Sequence, residues 1–82
     1  MAATIKVDAN VVTLINVLTV KPANQPHLLP LLRNNTENTI STLKGWIATN
    51  LIASRDKRRV VIDSQWKTLA DVEAMRDFGQ QL

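Results

Sequence analysis

Two hydrophobic periodicities follow one another along the chain, and their order predicts the fold. In "VVTLINVLTV", residues 11–20, a period of two puts Val12, Leu14, Asn16, Leu18 and Val20 on one face and Val11, Thr13, Ile15, Val17 and Thr19 on the other. Both faces are largely apolar, so the strand is expected to be covered on both sides, which an ordinary solvent-backed hairpin sheet does not require. "KPANQP" breaks the strand and offers Asn24 as a helix cap. Leu28, Leu32, Thr36, Ile40 and Leu43 then recur at helical spacing, with Arg33, Asn34, Glu37 and Asn38 off that stripe. This predicts an amphipathic helix. Pro30 lies deep enough in it to predict a kink or a delayed regular start. "KG" at 44–45 is expected to end it, with Gly45 supplying left-handed backbone.

"WIATNLIAS" and "RVVIDSQW" are strand patterns on either side of "RDKR", a polar turn of hairpin length. Thr68, with Asp71 three residues on, reads as a capping box that opens the helix "LADVEAMRDF", for which Gly79 is the expected stop. Strand, helix, strand, strand, helix is the order of a ferredoxin-like α+β plait without its final strand. Residues 4–8, "TIKVD", alternate in polarity and suit a short strand or an ordered arm. The chain therefore divides into an N-terminal arm, 1–10, and a domain, 11–82. An open sheet edge is a template for aggregation. Further residues at the C-terminus, the N-terminal arm or a partner subunit would each close it, and the abrupt "RDFGQQL" favours the first.

Composition narrows the picture. At 82 residues there is room for one domain, and a monomer of that size buries a modest share of its surface. With no cysteine to staple the fold, dimerisation is the ordinary route to more buried apolar area. The net charge is +3, and the dense basic group is Arg55, Lys57, Arg58 and Arg59. A nucleic-acid surface pairs such charge with aromatic platforms. Here there is no tyrosine, and the two tryptophans lie away from the cluster, so a solvated turn is expected and no nucleic acid. No run has the length of a membrane span, and "MAATIKVDAN" lacks the apolar core of a signal peptide. A cytoplasmic protein with no membrane partner is expected.

"VVTLINVLTVKP" before a helix, then "GWIATNLIASRDKRRVVIDSQWKTLADVEAMR", resembles the antibiotic biosynthesis monooxygenase domain over about residues 11–78. Gly45-Trp46 after the first helix and "QW" before a capped helix carry the resemblance. It implies a homodimer whose sheets pack face to face into an α+β barrel, each subunit keeping a pocket between sheet and helices. That would give each apolar face of residues 11–20 its cover. The family includes cofactor-independent oxygenases of aromatic polyketides, quinol oxygenases, haem-degrading enzymes and domains of no established activity.

Asn16 is the first candidate. An amide in an apolar face must find a partner or border a polar cavity, because leaving it unpaired costs on the order of a few kcal/mol. From the residues alone, a bridge to a loose backbone group is as good a reading as a site. The resemblance favours the site, since related oxygenases and haem-degrading enzymes carry an asparagine there. Trp66 shares a face with Val60, Ile62 and Ser64 by alternation and reads either as a core residue or as the wall and N–H donor of an aromatic pocket. The match at "QWK" favours the pocket, whereas Trp46 reads as a core anchor. His27, the single histidine, reads as a surface residue. The second helix has no histidine, where haem-degrading relatives take their iron ligand, so no haem is expected; no flavin or metal is expected either. The polyketide oxygenases tend to have an asparagine and a tyrosine where this chain has Ile62 and Asp63.

The resemblance therefore implies a cofactor-independent monooxygenase acting on a phenolic, quinol or polyketide-type aromatic molecule, with Asn16 and Trp66 as catalytic donors. The alternative is a non-catalytic dimeric module that binds a small aromatic metabolite, which explains the missing polar constellation with fewer assumptions.

Overall fold

The computed structural model describes residues 2–8 and 10–80. Two strands, β1 (Ala2–Asp8) and β2 (Val11–Thr19), precede helix α1 (Gln25–Asn38). A 3-10 turn (Ile40–Thr42) leads into β3 (Trp46–Ala53), β4 (Arg59–Trp66) and helix α2 (Leu69–Gln80). The strands form one antiparallel sheet in the order β1-β2-β4-β3. This is the ferredoxin-like α+β arrangement that the patterns predict, with one substitution in the sheet.

That substitution is at the edge beside β2. Residues 2–8 pair with β2 along their whole length, from Ala2 opposite Val17 to Asp8 opposite Val11. The N-terminal arm therefore closes the edge that the C-terminus was expected to close. Two residues separate the strands, the length of a tight hairpin connection, so pairing costs little loop entropy. The supposed arm is a strand of the sheet.

Alternation holds along β2 and β4. Val12, Leu14, Val60, Ser64 and Trp66 are buried on the face that carries the helices, and Val72 of α2 completes the core there. Among the described residues both helices pack on this face. On the opposite face Val11, Thr13, Ile15 and Val17 are half-buried by their own strand neighbours, with Val61 and Asp63 beside them on β4. On this face the β2 row is largely apolar and is flanked by Lys6 and Asp8 of β1 and Asp63 of β4, and among the described residues the face bears no helix.

α1 departs from the prediction at both ends. Pro30 lies inside it, yet the helix begins at Gln25 and runs through as one element. The missing Pro30 N–H would have reached the carbonyl of Pro26, so the lost bond falls in the first turn. α1 stops at Asn38, short of the expected Lys44. Polar side chains past that point take up the backbone: Ser41 Oγ donates to Glu37 O at 2.8 Å and Thr42 Oγ1 to Thr39 O at 2.6 Å. Such local bonds compete with helix propagation, and the chain tightens into the 3-10 turn. Asn24 occupies the cap position through its backbone carbonyl, without a side-chain cap bond.

Gly45 has φ +84°. A Cβ there would lie 2.0 Å from Asp71 Oδ2, so the glycine answers both to the left-handed backbone and to the close approach of the α2 cap. Half of the predicted capping box forms: Asp71 N–H donates to Thr68 Oγ1 at 3.1 Å, while Asp71 Oδ2 accepts from the Thr68 hydroxyl at 2.9 Å instead of from its backbone N–H. α2 continues through Gly79 to Gln80 instead of stopping there. A glycine weakens a helix by about 1 kcal/mol but does not forbid it.

Candidate active site between sheet and helices

Asn16 and Trp66 come together. Both line a cavity of about 140 Å³ between the helix-bearing face of the sheet and the helices. Leu14, Ile62 and Ser64 complete its floor, Leu32 and Thr36 of α1 cover it, and Met75 of α2 closes one side. The strand register explains the grouping. Asn16 pairs with Ile62, and Leu14 pairs with Ser64, so alternate residues of two central strands meet on one surface.

The polar groups in this cavity differ in their commitments. Trp66 is fully buried, and its indole N–H donates to Ser64 Oγ at 3.0 Å. The Ser64 hydroxyl in turn faces Leu14 O at 3.5 Å, a long contact that leaves its proton weakly held. Asn16 is half-buried, and its side-chain amide has no hydrogen-bond partner among the described residues. No titratable side chain lines the cavity among those residues. Asp63 points to the opposite face of the sheet, as alternation requires, where its Oδ1 is buried without a hydrogen-bond partner.

A second space lies outside the first. A groove of about 1160 Å³ runs between α1 and the edge strand β3, walled by Pro26, Leu29, Pro30 and Arg33 on one side and by Trp46 and Asn50 on the other. Thr36, Thr49 and Leu51 border both spaces. Trp46, read from sequence as a core anchor, does pack against the core, but it also faces this groove. A β-bulge between Trp46 and Ala48 aligns it with Trp66, and its indole N–H donates to Thr49 Oγ1 at 2.9 Å.

Two residues escape sequence reasoning. Ser64, noted there only as a neighbour of Trp66 on its face, holds the tryptophan's N–H. Gln25, one of the buried polar side chains, donates to Arg59 O at 2.9 Å and to Ser54 O at 3.2 Å, pinning the start of α1 to the β3–β4 hairpin. The alternation of "RVVIDSQW" places Ser64, but nothing in "KPANQP" singles out Gln25.

The remaining polar candidates lie elsewhere. His27 is exposed on α1. Arg55, Lys57, Arg58 and Arg59 are exposed at the β3–β4 turn, as expected. There the Ser54 hydroxyl donates to Asp56 Oδ1 at 2.6 Å, and the Arg58 N–H donates to it at 2.9 Å. These bonds lower the Asp56 pKa against an opposing desolvation, with lesser help from the nearby Arg59 and Arg58 charges. Among the described residues, no helix is long and apolar enough to cross a membrane.

The chain also matches known proteins. It is 37% identical over 73 residues to tetracenomycin-F1 monooxygenase of Streptomyces glaucescens, which takes in 89% of this chain and 65% of the relative. The chain thus spans about two thirds of that relative's length. No solved structure gives a significant match. The sequence model of the antibiotic biosynthesis monooxygenases matches residues 11–79, so it takes in β2, both helices and the β3–β4 hairpin that build the cavity. On that match and this fold, the chain belongs to the antibiotic biosynthesis monooxygenase family.

Proposed function

We propose that this domain is a monooxygenase that oxygenates a phenolic, quinol or polyketide-type aromatic ring without metal, haem or flavin. The observation that carries the reading is the unpartnered Asn16 amide, held on a cavity whose walls mix Leu14, Leu32, Ile62, Trp66 and Met75 with the polar Asn35, Thr36, Thr49 and Ser64. An amide left without a protein partner in such walls is suited to hydrogen-bond a ligand oxygen. The family and the named monooxygenase relative support the reaction class.

The chemistry follows from the ring. An electron-rich phenol loses its O–H proton and passes electrons to dioxygen, one oxygen atom becoming a ring carbonyl and the other leaving as water with the two displaced hydrogens. The substrate supplies all four electrons, so no co-reductant is required. Asn16 Nδ2 would donate to the phenolate oxygen as charge develops there, within a largely apolar wall that strengthens the bond. Trp66 supplies a flat wall for the ring, and its N–H reaches a ligand only by leaving Ser64. The Ser64 hydroxyl, weakly held by Leu14 O, is the nearer second donor. With no titratable side chain in the cavity, the proton leaves by the substrate's own acidity or through water.

A homodimer belongs to the same proposal, for members of this family commonly dimerise. Val11, Thr13, Ile15 and Val17 offer the apolar centre expected of an obligate interface. The buried Asp63 Oδ1 would find a donor there. We place the protein in the cytoplasm on the same terms.

The test is oxygen uptake by protein dialysed against chelator, with anthrone or hydroquinone as substrate. Uptake matched one to one by quinone that carries one oxygen atom from dioxygen, with no hydrogen peroxide, supports the enzyme. Ligand binding with uptake no faster than in buffer returns the domain to the alternative, a non-catalytic dimeric module for a small aromatic metabolite. That alternative is favoured by one observation, the Trp66 N–H already spent on Ser64.

A further inference from the structure

Helix α1 roofs the inner cavity without belonging to the core. Leu32, Asn35 and Thr36 line the cavity from the α1 side. The buried apolar cluster, however, is Val12, Leu14, Trp66 and Val72, drawn from the sheet and α2. No apolar residue of α1 is buried: Leu28, Leu29 and Leu32 are half-buried, and Leu31 is 67% exposed. Toward β3 the helix borders the wide groove, so packing does little to hold it on that side. Its one buried side chain is that of Gln25, whose amide donates to Arg59 O at 2.9 Å and to Ser54 O at 3.2 Å. At the other end the backbone leaves the helical region at Thr39, with φ −124° and ψ −61°. Just beyond, Ile40 and Leu43 pack against the core. The helix is thus tied down at its two ends, by apolar packing at one and by a single amide at the other.

We propose that α1 is a lid over the inner cavity, hinged at Thr39 and latched by Gln25, a positioning residue that acts through Leu32 and Thr36. The latch is built to release. Each carbonyl it holds has a backbone partner of its own, since Lys57 N–H donates to Ser54 O at 3.2 Å and Ser54 N–H donates to Arg59 O at 3.1 Å. Opening therefore strands no hairpin group, and the freed amide is satisfied by water. Residues 21–24, which join β2 to α1, are exposed throughout and can follow the helix. Two neutral hydrogen bonds favour the closed state by roughly 5- to 150-fold, which keeps the open state within thermal reach. Lifting α1 uncovers the cavity floor, Asn16, Ser64 and Trp66, while Val72 of α2 stays packed on the sheet. The proposed function enters only in what passes the lid, for the motion itself depends on no ligand.

The chain has no cysteine, so a single introduced thiol reports alone. Ser64→Cys puts it on the cavity floor, at a buried position, and Val72→Cys puts it in the core on α2. Each protein is reacted with dithiobis(nitrobenzoate), and its rate relative to the unfolded chain is compared with its own unfolding constant from urea denaturation. The floor thiol should react at least tenfold faster than global unfolding allows, and the core thiol no faster than that limit. Gln25→Met keeps the side chain's length and removes the donor. It should speed the floor thiol at least fivefold beyond any change in the unfolding constant, while the core thiol follows that constant. A floor thiol limited by global unfolding overturns the lid, a result that needs Gln25 intact and so stands even if Gln25→Met fails to fold. A floor thiol indifferent to Gln25→Met overturns the latch. Both rates are read without ligand, so absent oxygen uptake, which defeats the oxygenase reading, is a separate result.

Discussion

Replacing Asn16 by leucine separates a site residue from a structural one before any substrate is known. The amide has no hydrogen-bond partner among the described residues, so its removal strands no backbone group. The leucine has the same branching and is larger, but it projects beside an empty space of about 140 Å³ that can take the extra volume, so overpacking is not expected. Full burial of a leucine side chain contributes about 1.5–3 kcal/mol. Position 16 is half-buried, and half the larger figure, about 1.5 kcal/mol, is the upper bound on the gain. The expected change in unfolding free energy is therefore between zero and roughly +1.5 kcal/mol, a rise in Tm of up to about 6–12 °C for a domain of this size. Binding should move the other way. Loss of one hydrogen bond of about 0.5–1.5 kcal/mol weakens hydroquinone by up to roughly tenfold. Thermal melts of the ligand-free protein by circular dichroism, with calorimetric titration of hydroquinone, read both quantities. A bridge to the backbone would instead cost about 1–3 kcal/mol. A Tm drop of 4 °C or more, or hydroquinone binding equal to wild type, refutes the argument.

Three further outcomes follow from the same geometry. Ser64→Ala removes the acceptor of the fully buried Trp66 N–H and should cost about 1–3 kcal/mol in urea denaturation, with a shifted Trp66 fluorescence maximum; an unchanged midpoint would mean that the indole has another partner. Ile15→Lys sets a charge in the largely apolar β2 row of the helix-free face and should convert a dimer to monomer or unfolded chain by sedimentation; a wild type that is monomeric at micromolar concentration removes the interface. The lowered Asp56 pKa means that its carboxylate stabilises the β3–β4 turn above the unfolded-state value of 3.8, and that this contribution is lost as pH falls through the lower folded value. Protection factors of the turn amides, measured against intrinsic exchange at each pH, should fall on acidification in wild type and show no such step in Asp56→Asn; identical profiles would remove the Ser54 and Arg58 bonds as the cause.

The order of elements was legible in the chain because each rests on local information. Alternation along residues 11–20 and 59–66, the polar turn between the last two strands, and the Thr68–Asp71 cap each act within a few residues. The same alternation put Asn16 and Trp66 on cavity-facing positions of their strands. What depended on distant partners could not be read this way. The length of α1 was settled by competition, since Ser41 and Thr42 bond back to the main chain where the apolar stripe alone extends the helix to Lys44. The pairing of Ala2–Asp8 with β2 closes the sheet edge, and alternation within residues 4–8 alone did not say which strand they would join. The commitment of the Trp66 N–H to Ser64 follows from rotamers inside a packed core. The two spaces beside α1 likewise draw on distant segments, since Thr36 of α1 and Thr49 and Leu51 of β3 border both. Periodicity assigns a side chain to a face, but only packing in three dimensions determines what that face encloses.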